Sequence, residues 1–444
     1  MLVQFRVENH RSLRDEQVLS LVASSRGDRG EERLIGVPGL ELTLLPALAL
    51  YGANGSGKTS VLHALAFMCD AVRRSHRSWE PGGGTPREPF LLSNKVHAPS
   101  RYEVEMVVDG TRHRYGFVLG EKKVEEEWLF AWPHGRKQSW FAREGDRFEF
   151  GKNLSGENAA IQALTRDNSL FLAAAAQNNH PRLSPIFGWF HAIRFELRRN
   201  VTAGLDPWHA AILEELLSDN PERALSAEED VARRRMREGV LRLLRGADLG
   251  ILDLRLQTRK HATRRAGSVE LMFQHRTADG RGMWLPLEAE SAGTVGLIGI
   301  AARLVGVLGR GGVLCVDEFD ASLHPTLVLE LLRLIHDREH NPRGAQMVFT
   351  THDAGLLGTI LGEAPLRRDQ IWFCEKDEEG ATHLYPLLEH SPRKSENMER
   401  GYLQGKYGAI PFLGELVAPS GPSVQMTSLE IAEIGPPPAR GPGK

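Results

Sequence analysis

A chain of 444 residues is long enough for two or three domains or lobes with sizeable cores. Its 41% hydrophobic and 25% charged residues are ordinary for a soluble globular protein, and a net charge of −2 excludes a surface that grips polyanions everywhere. Cys69, Cys315 and Cys374 form no C-x-x-C and cannot all pair, which excludes a disulfide framework and fits a reducing, cytoplasmic location.

Val3, Phe5 and Val7 alternate with polar neighbours, so residues 2–8 read as a strand. A break at Asn9-His10-Arg11-Ser12-Leu13 follows, and Gln17 to Ala23 reads as a second strand. Met1 to Arg6 carries no basic region followed by an apolar core, so no signal peptide is expected. Residues 25–43 read as loop and edge strand. The apolar run Leu44 to Tyr51, broken once by Pro46, is the next strand, and Val61 to Phe67 belongs to a helix.

Between that strand and helix stands Gly52-Ala53-Asn54-Gly55-Ser56-Gly57-Lys58-Thr59, followed by Ser60. It meets G-x-x-x-x-G-K-[ST] at every fixed position, in the strand–turn–helix context that makes the pattern a phosphate loop. The glycines let the backbone curl so that its N–H groups face inward, and the helix start adds a positive dipole end. Lys58 would reach the β- and γ-phosphates, and the Thr59 hydroxyl would take a position on Mg²⁺. No Asn-Lys-x-Asp element for reading guanine is present, so ATP is the expected nucleotide.

Trp79 to Pro86 is too rich in glycine and proline for a regular element. Tyr102, Val104, Met106 and Val108 alternate up to Asp109-Gly110, and His113, Tyr115, Phe117 and Leu119 alternate away from it, a hairpin with a type I′ turn. Val124 to Trp132 and Ser139 to Phe150 extend it into an antiparallel meander, expected as a separate small sheet. Residues 157–246 read as mainly helical, with breaks at Pro181, Pro185, Pro207 and Pro221. The segment 231–265 holds eleven Arg or Lys against three acids, which reads either as a solvated helix face or as a surface for DNA phosphates. Strands are expected at 249–257 and 268–274.

From 283 onwards the α/β pattern resumes: a helix at 294–308, a strand Val313 to Asp317, a helix at 325–338, a strand Gln346 to Thr351. The apolar stretch Val295 to Leu308 carries Arg303 and is too short to span a bilayer, so no membrane association is expected. Val313 to Val316 ends in Asp317 and Glu318. Asp317 would hold the Mg²⁺ shell opposite Thr59, and Glu318 would polarise the attacking water. Thr350-Thr351-His352-Asp353 closes the next strand, which places His352 at the carboxyl ends of parallel strands as a γ-phosphate sensor. Glu290-Ser291-Ala292-Gly293-Thr294 precedes a helix, where a Ser-x-Gly turn either caps it or exposes N–H groups to an anion. A hairpin follows through 371–374 and 383–385.

Phosphate loop, inserted lobe, Ser-Ala-Gly-Thr, Val-Asp-Glu and Thr-His-Asp in this order resemble the ABC-type ATPase heads of the SMC and RecF group, and Val7 to Leu13 looks like their opening strand and turn. More closely, the chain resembles the AAA-type ATPases of the AbiLi-like abortive-infection group. It does so through Gly52 to Thr59, Asp317-Glu318-Phe319-Asp320-Ala321-Ser322-Leu323-His324-Pro325 and Gly405-Lys406-Tyr407-Gly408-Ala409-Ile410-Pro411. The resemblance covers roughly residues 1–415.

It implies an α/β P-loop NTPase of the ABC-head type with an antiparallel β-meander subdomain and an inserted helical lobe. The expected division is 1–75 with the phosphate loop, 76–155 the β subdomain, 156–282 the helical lobe, 283–415 the rest of the head and 416–444 a disordered tail. By the same resemblance ATP closes a head-to-tail homodimer or a higher homo-oligomer, with Ser291 and Gly293 acting in trans and Ala321-Ser322-Leu323 at the interface. Ser-Ala-Gly-Thr departs from the Leu-Ser-Gly-Gly-Gln of transporters, which argues against a transporter subunit. Gln177 is the candidate metal-contacting Q-loop glutamine, a plain polar helix end being its other reading. The resemblance further implies a switch acting on a separate effector, often a nuclease, in phage defence. The alternative is a DNA-repair ATPase that grips duplex through 231–265.

Overall fold

The computed structural model describes residues 1–25, 30–197, 227–247, 249–259, 268–321, 323–359, 362–393 and 396–411. Pro207, Pro221, Ser322, the tail beyond 411 and residues 248 and 260–267 of the basic segment therefore lie outside the described residues. Met1–Ile410 form one compact unit.

Its centre is a six-stranded sheet in the order β11-β15-β16-β5-β17-β18. The strands are β5 (Ala47–Tyr51), β11 (Arg194–Glu196), β15 (Val313–Val316), β16 (Gln346–Thr350), β17 (Ile371–Lys376) and β18 (Thr382–Pro386). All pairs are parallel except β17 with β18. Continuous apolar runs make such strands because both faces are covered. Leu48, Leu50, Val313, Cys315, Val348, Trp372 and Cys374 face one core. Ala47, Ala49, Tyr51, Leu314, Val316, Met347, Phe349, Ile371 and Phe373 face the other. The first core packs under α1 (Lys58–Ser78), α3 (Phe171–Gln177) and α4 (Ser184–Ala192). The second packs under α5 (Ala227–Gly246), α6 (Ala292–Arg310), α7 (Pro325–His336) and α8 (Met398–Leu403).

The second large sheet departs from expectation. The meander β6 (Ser100–Val108), β7 (Thr111–Leu119), β8 (Val124–Trp132), β9 (Gln138–Glu144) and β10 (Arg147–Phe150) is not separate. It continues β1 (Leu2–Glu8) and β2 (Gln17–Ser20) into one seven-stranded sheet, because β6 pairs with β1 antiparallel. The exposed backbone edge of β1 is thereby satisfied by a strand about a hundred residues away, which local alternation cannot reveal. The type I′ turn is as expected, with φ +48° at Asp109 and +71° at Gly110.

Other differences are local. The first part of the mainly helical stretch is three short helices, α2 (Asn158–Leu164), α3 and α4, and Pro185 sits in the first turn of α4 rather than marking a break, since Pro suits that position. Arg194–Glu196 is a strand, too short to carry a periodic signal. β12 (Ile251–Arg259), β13 (Ser268–Arg276) and β14 (Gly282–Pro286) form a three-stranded sheet whose last strand was read as the start of the α/β half. The 371–385 hairpin belongs to the central sheet through β17 and β5.

α6 corrects the length argument: it runs nineteen residues, and its window Gly293–Arg310 is long and apolar enough to cross a membrane. Most of that window is buried inside the unit, against β11, β15 and α5, so α6 is a core helix. Its buried Arg303 pairs with Glu196 of β11.

Candidate nucleotide site

The site forms where β5, β16 and β15 end, at the carboxyl edge of the parallel sheet. β5 delivers the phosphate loop, in which Gly52, Gly55 and Gly57 have φ of +155°, +77° and +103°. Gly52 and Gly57 have no room for a side chain: a Cβ on Gly52 would lie 2.4 Å from the Cys374 carbonyl, and one on Gly57 would lie 2.0 Å from Thr382 Oγ1. Gly57 precedes α1, so the positive end of a 21-residue helix faces the loop's hollow.

Lys58 is buried, and its Nζ donates to the carbonyls of Gly52 at 2.8 Å and Ala53 at 2.9 Å. Burial lowers its pKa, while Cys374, Asp317, Glu318 and Asp320 pull it back up. The ammonium is thus folded back over the loop, within its own hollow. Ser56 is buried, and among the described residues its Oγ has no hydrogen-bond partner. An orphaned hydroxyl, a curled run of amides and a buried cation fit a polyphosphate.

β15 ends at Asp317. Thr59 Oγ1 lies 3.1 Å from each carboxylate oxygen of Asp317, so the expected pair meets across 258 residues of sequence. One hydroxyl and one carboxylate are the donor set of a Mg²⁺ that keeps most of its waters and takes phosphate oxygens, so the residues fit that ion. Among the described residues no cluster of three His, Cys, Asp or Glu offers a different metal site.

Glu318 has φ +50°, a left-handed conformation that is uncommon outside glycine. Its amide donates to Thr350 Oγ1 at 2.6 Å, and the Thr350 hydroxyl reaches Asp317 Oδ1 at 2.7 Å. Phe319 N donates to the Thr350 carbonyl at 2.9 Å, so the chain reverses tightly over the end of β16. Strain of this kind persists only where surroundings over-determine it, and it gathers at functional sites.

His352 leaves β16 with its amide donating to Asp320 at 3.3 Å. Its imidazole is held below the ordinary value, first by partial desolvation and then by the Lys58 charge, against the pull of Asp320, Glu318 and Asp317. These influences put His352 and Glu318 in one electrostatic neighbourhood with Lys58. β16 lies between β5 and β15, so its end bridges phosphate loop and acids.

Two expected residues stand apart. Ser291 is the exposed N-cap of α6, its Oγ accepting from Thr294 N at 3.1 Å and lying 2.9 Å from Thr294 Oγ1. Gly293 lies in the first turn of that helix. Neither makes a described hydrogen bond to the phosphate loop. Gln177 is the last residue of α3, and no described hydrogen bond joins it to Thr59 or Asp317. In the basic segment several arginines have partners within the chain: half-exposed Arg237 pairs with Asp253 at 2.8 Å, exposed Arg245 donates to the Leu252 carbonyl, and exposed Arg255 stacks on Trp284 at 4.1 Å.

Sequence reasoning missed Thr350 and Asp320, which lie within the Thr-Thr-His-Asp and acidic motifs. The signal for them was a hydroxyl and a carboxylate at strand exits beside the acidic pair.

A family model described as "AAA domain, putative AbiEii toxin, Type IV TA system" matches residues 48–358. No curated protein matches the sequence. Among solved structures, the SmcHead bound to the C-winged helix domain of ScpA aligns with TM-score 0.43 and 14% identity, over 86% of this chain and 96% of that one. The SMC head domain from Thermotoga maritima aligns with TM-score 0.37 and 12% identity, over 87% and 98%. The Smc head domain bound to the C-terminal domain of ScpA derived from Pyrococcus furiosus aligns with TM-score 0.42 and 14% identity, over 88% and 97%.

Proposed function

Because the chain belongs to the AAA-domain ATPase family of that description, we propose that it is an ATP-operated switch that hydrolyses ATP and changes its association state in doing so. The observation that carries this reading is the Thr59–Asp317 contact, with Glu318 held beside it at the end of the same strand.

The chain's own residues divide the work. Amides from Ala53 to Ser60 bind the phosphates, and Lys58 moves from its two carbonyls onto the charge they carry. Thr59 and Asp317 would hold Mg²⁺, which neutralises charge on the phosphate oxygens when bound. Glu318 orients the attacking water and takes up its proton, and His352 reads whether the terminal phosphate is present. Neutral at pH 7 because its pKa is lowered, His352 can donate one hydrogen bond and accept another.

Completion of the site by a second copy of the chain is the finer part of the proposal. Ser291 stands exposed at the start of a helix, with α6 behind it in the core, so an anion from a partner's loop could dock there. A separate effector, with phage defence as the setting, is supported by the family's description. A DNA-binding role through α5 is the second reading, favoured by exposed Arg234 and Arg235. A steep loss of duplex affinity with salt would support it.

The decisive experiment is solution mass with and without ATP. Glu318→Gln is expected to accumulate as an ATP-loaded dimer, and Lys58→Ala to bind no nucleotide. A Glu318→Gln protein that stays monomeric with saturating ATP would overturn the dimer part of the switch.

A further inference from the structure

The phosphate loop is held from outside by two hydroxyls that come from distant parts of the chain, Thr382 and Ser12, and these join the hydroxyl of Ser60 next to the loop. The Thr382 hydroxyl, at the start of β18, donates to the Ser56 carbonyl at 2.9 Å and lies 2.8 Å from Ser12 Oγ. Ser12 Oγ lies 2.9 Å from Ser60 Oγ, on the first turn of α1. The backbone repeats the link, because Thr382 N donates to the Ser12 carbonyl at 2.7 Å. Thr382 is buried, so these bonds are shielded from water and tightly specified. Gly57 sits directly beneath: a Cβ there would meet Thr382 Oγ1 at 2.0 Å and Ser12 Oγ at 2.8 Å.

Ser12 belongs to the turn between β1 and β2, and that turn is itself fastened to the β17–β18 hairpin. Arg14 pairs with Asp377 at 3.2 Å and with Glu379, and Leu384 N donates to Gln17 Oε1 at 2.8 Å. On its other side the turn is fixed by Asn9, whose Nδ2 donates to the carbonyls of Ala98 at 2.7 Å and Lys95 at 2.9 Å. The same three residues therefore touch the loop that receives phosphate, the edge of the central sheet and the entry to the seven-stranded sheet.

We propose that Thr382 and Ser12 are positioning residues for the phosphate loop, and that the Thr382–Ser12–Ser60 chain transmits nucleotide occupancy of the loop to the seven-stranded sheet. This rests on the reading of the loop as a nucleotide site. Thr382 fixes the Ser56 carbonyl outward, which leaves the amides of the following residues turned inward. Phosphate binding pulls on those amides and on the start of α1, and Ser60 passes the displacement to Ser12 and so to β1 and β2.

The test uses the full chain, Mg²⁺ and a fluorescent ATP analogue. Thr382→Val keeps the side-chain volume and removes the hydroxyl, and is expected to weaken nucleotide binding by about tenfold, the scale of one lost shielded hydrogen bond. Thr382→Ser should restore binding. Hydrogen exchange of residues 9–16 in the wild type should slow when nucleotide is added, and in Thr382→Val that slowing should vanish even at saturation. Should Thr382→Val fold poorly, Ser12→Ala gives the same two readouts. Affinity within twofold of wild type, or nucleotide protection at the loop with none at 9–16, overturns the inference. A wild type that binds no nucleotide sinks the proposed function as well, so the two failures are told apart.

Discussion

The Thr350 hydroxyl donates to Asp317 Oδ1 at 2.7 Å, and its oxygen accepts the Glu318 amide at 2.6 Å. One side chain on β16 thereby sets both acids that leave β15. Thr350→Val removes one partner of the Asp317 carboxylate, leaving Thr59, and the acceptor of the Glu318 amide, at a buried position. We expect hydrolysis per bound ATP to fall about tenfold or more, the cost of unsatisfied buried groups. Nucleotide affinity, set by the loop, should change far less. Single-turnover hydrolysis beside equilibrium binding measures the split, and equal losses in both would contradict this role.

Glu318 carries strain that glycine would not. A left-handed φ of +50° costs an L-residue about 1 kcal/mol or more. Glu318→Gly is therefore expected to raise resistance to denaturant by roughly that amount while abolishing hydrolysis. A decrease in the unfolding midpoint would show that the side chain's interactions outweigh its backbone strain.

Gly55 and Gly57 look alike in sequence and should respond differently. At Gly55 a Cβ would meet open space, leaving only the φ of +77° to pay, so Gly55→Ala should weaken ATP binding by about fivefold. At Gly57 it would meet Thr382 Oγ1 at 2.0 Å as well, and Gly57→Ala should cost about a hundredfold. Titration of both variants with nucleotide decides the matter, and equal affinities would contradict the crowding.

Acid should destabilise the fold before it protonates the carboxylates. Burial lowers His10 from 6.5 to about 3, and His113 and His336 to about 4. Between those values and 6.5 the unfolded chain binds protons that the folded chain refuses. Stability then rises with pH, by up to about 1.4 kcal/mol per pH unit for each histidine, and is flat above 6.5 as far as these groups are concerned. Unfolding midpoints at pH 7.5, 6 and 5 should fall in that order, and His336→Gln should flatten the slope. A midpoint indifferent to pH over this range would contradict the burial of all three.

Much of the site could be read in advance because it is written locally. Gly52 to Thr59 needs only its own glycines, lysine and flanking periodicity, and Asp317-Glu318 needs only an apolar strand before it. The three strands that carry the site, β5, β15 and β16, and their neighbour β17 were each expected close to where they lie. β11 was missed because three residues hold no period, and β14 because its alternation runs into a turn.

By itself, then, the sequence determined that a phosphate loop exists and that acids stand at a strand exit, since both follow from backbone freedom and side-chain chemistry within about ten residues. Tertiary structure decided which strand lies between them and which hydroxyls close on them. Thr59 meets Asp317, Thr350 joins Asp317 to Glu318, and Thr382 reaches Ser12 across 370 positions. Those contacts depend on strand order and register, which are set by how two buried faces share one sheet and leave no trace in local spacing.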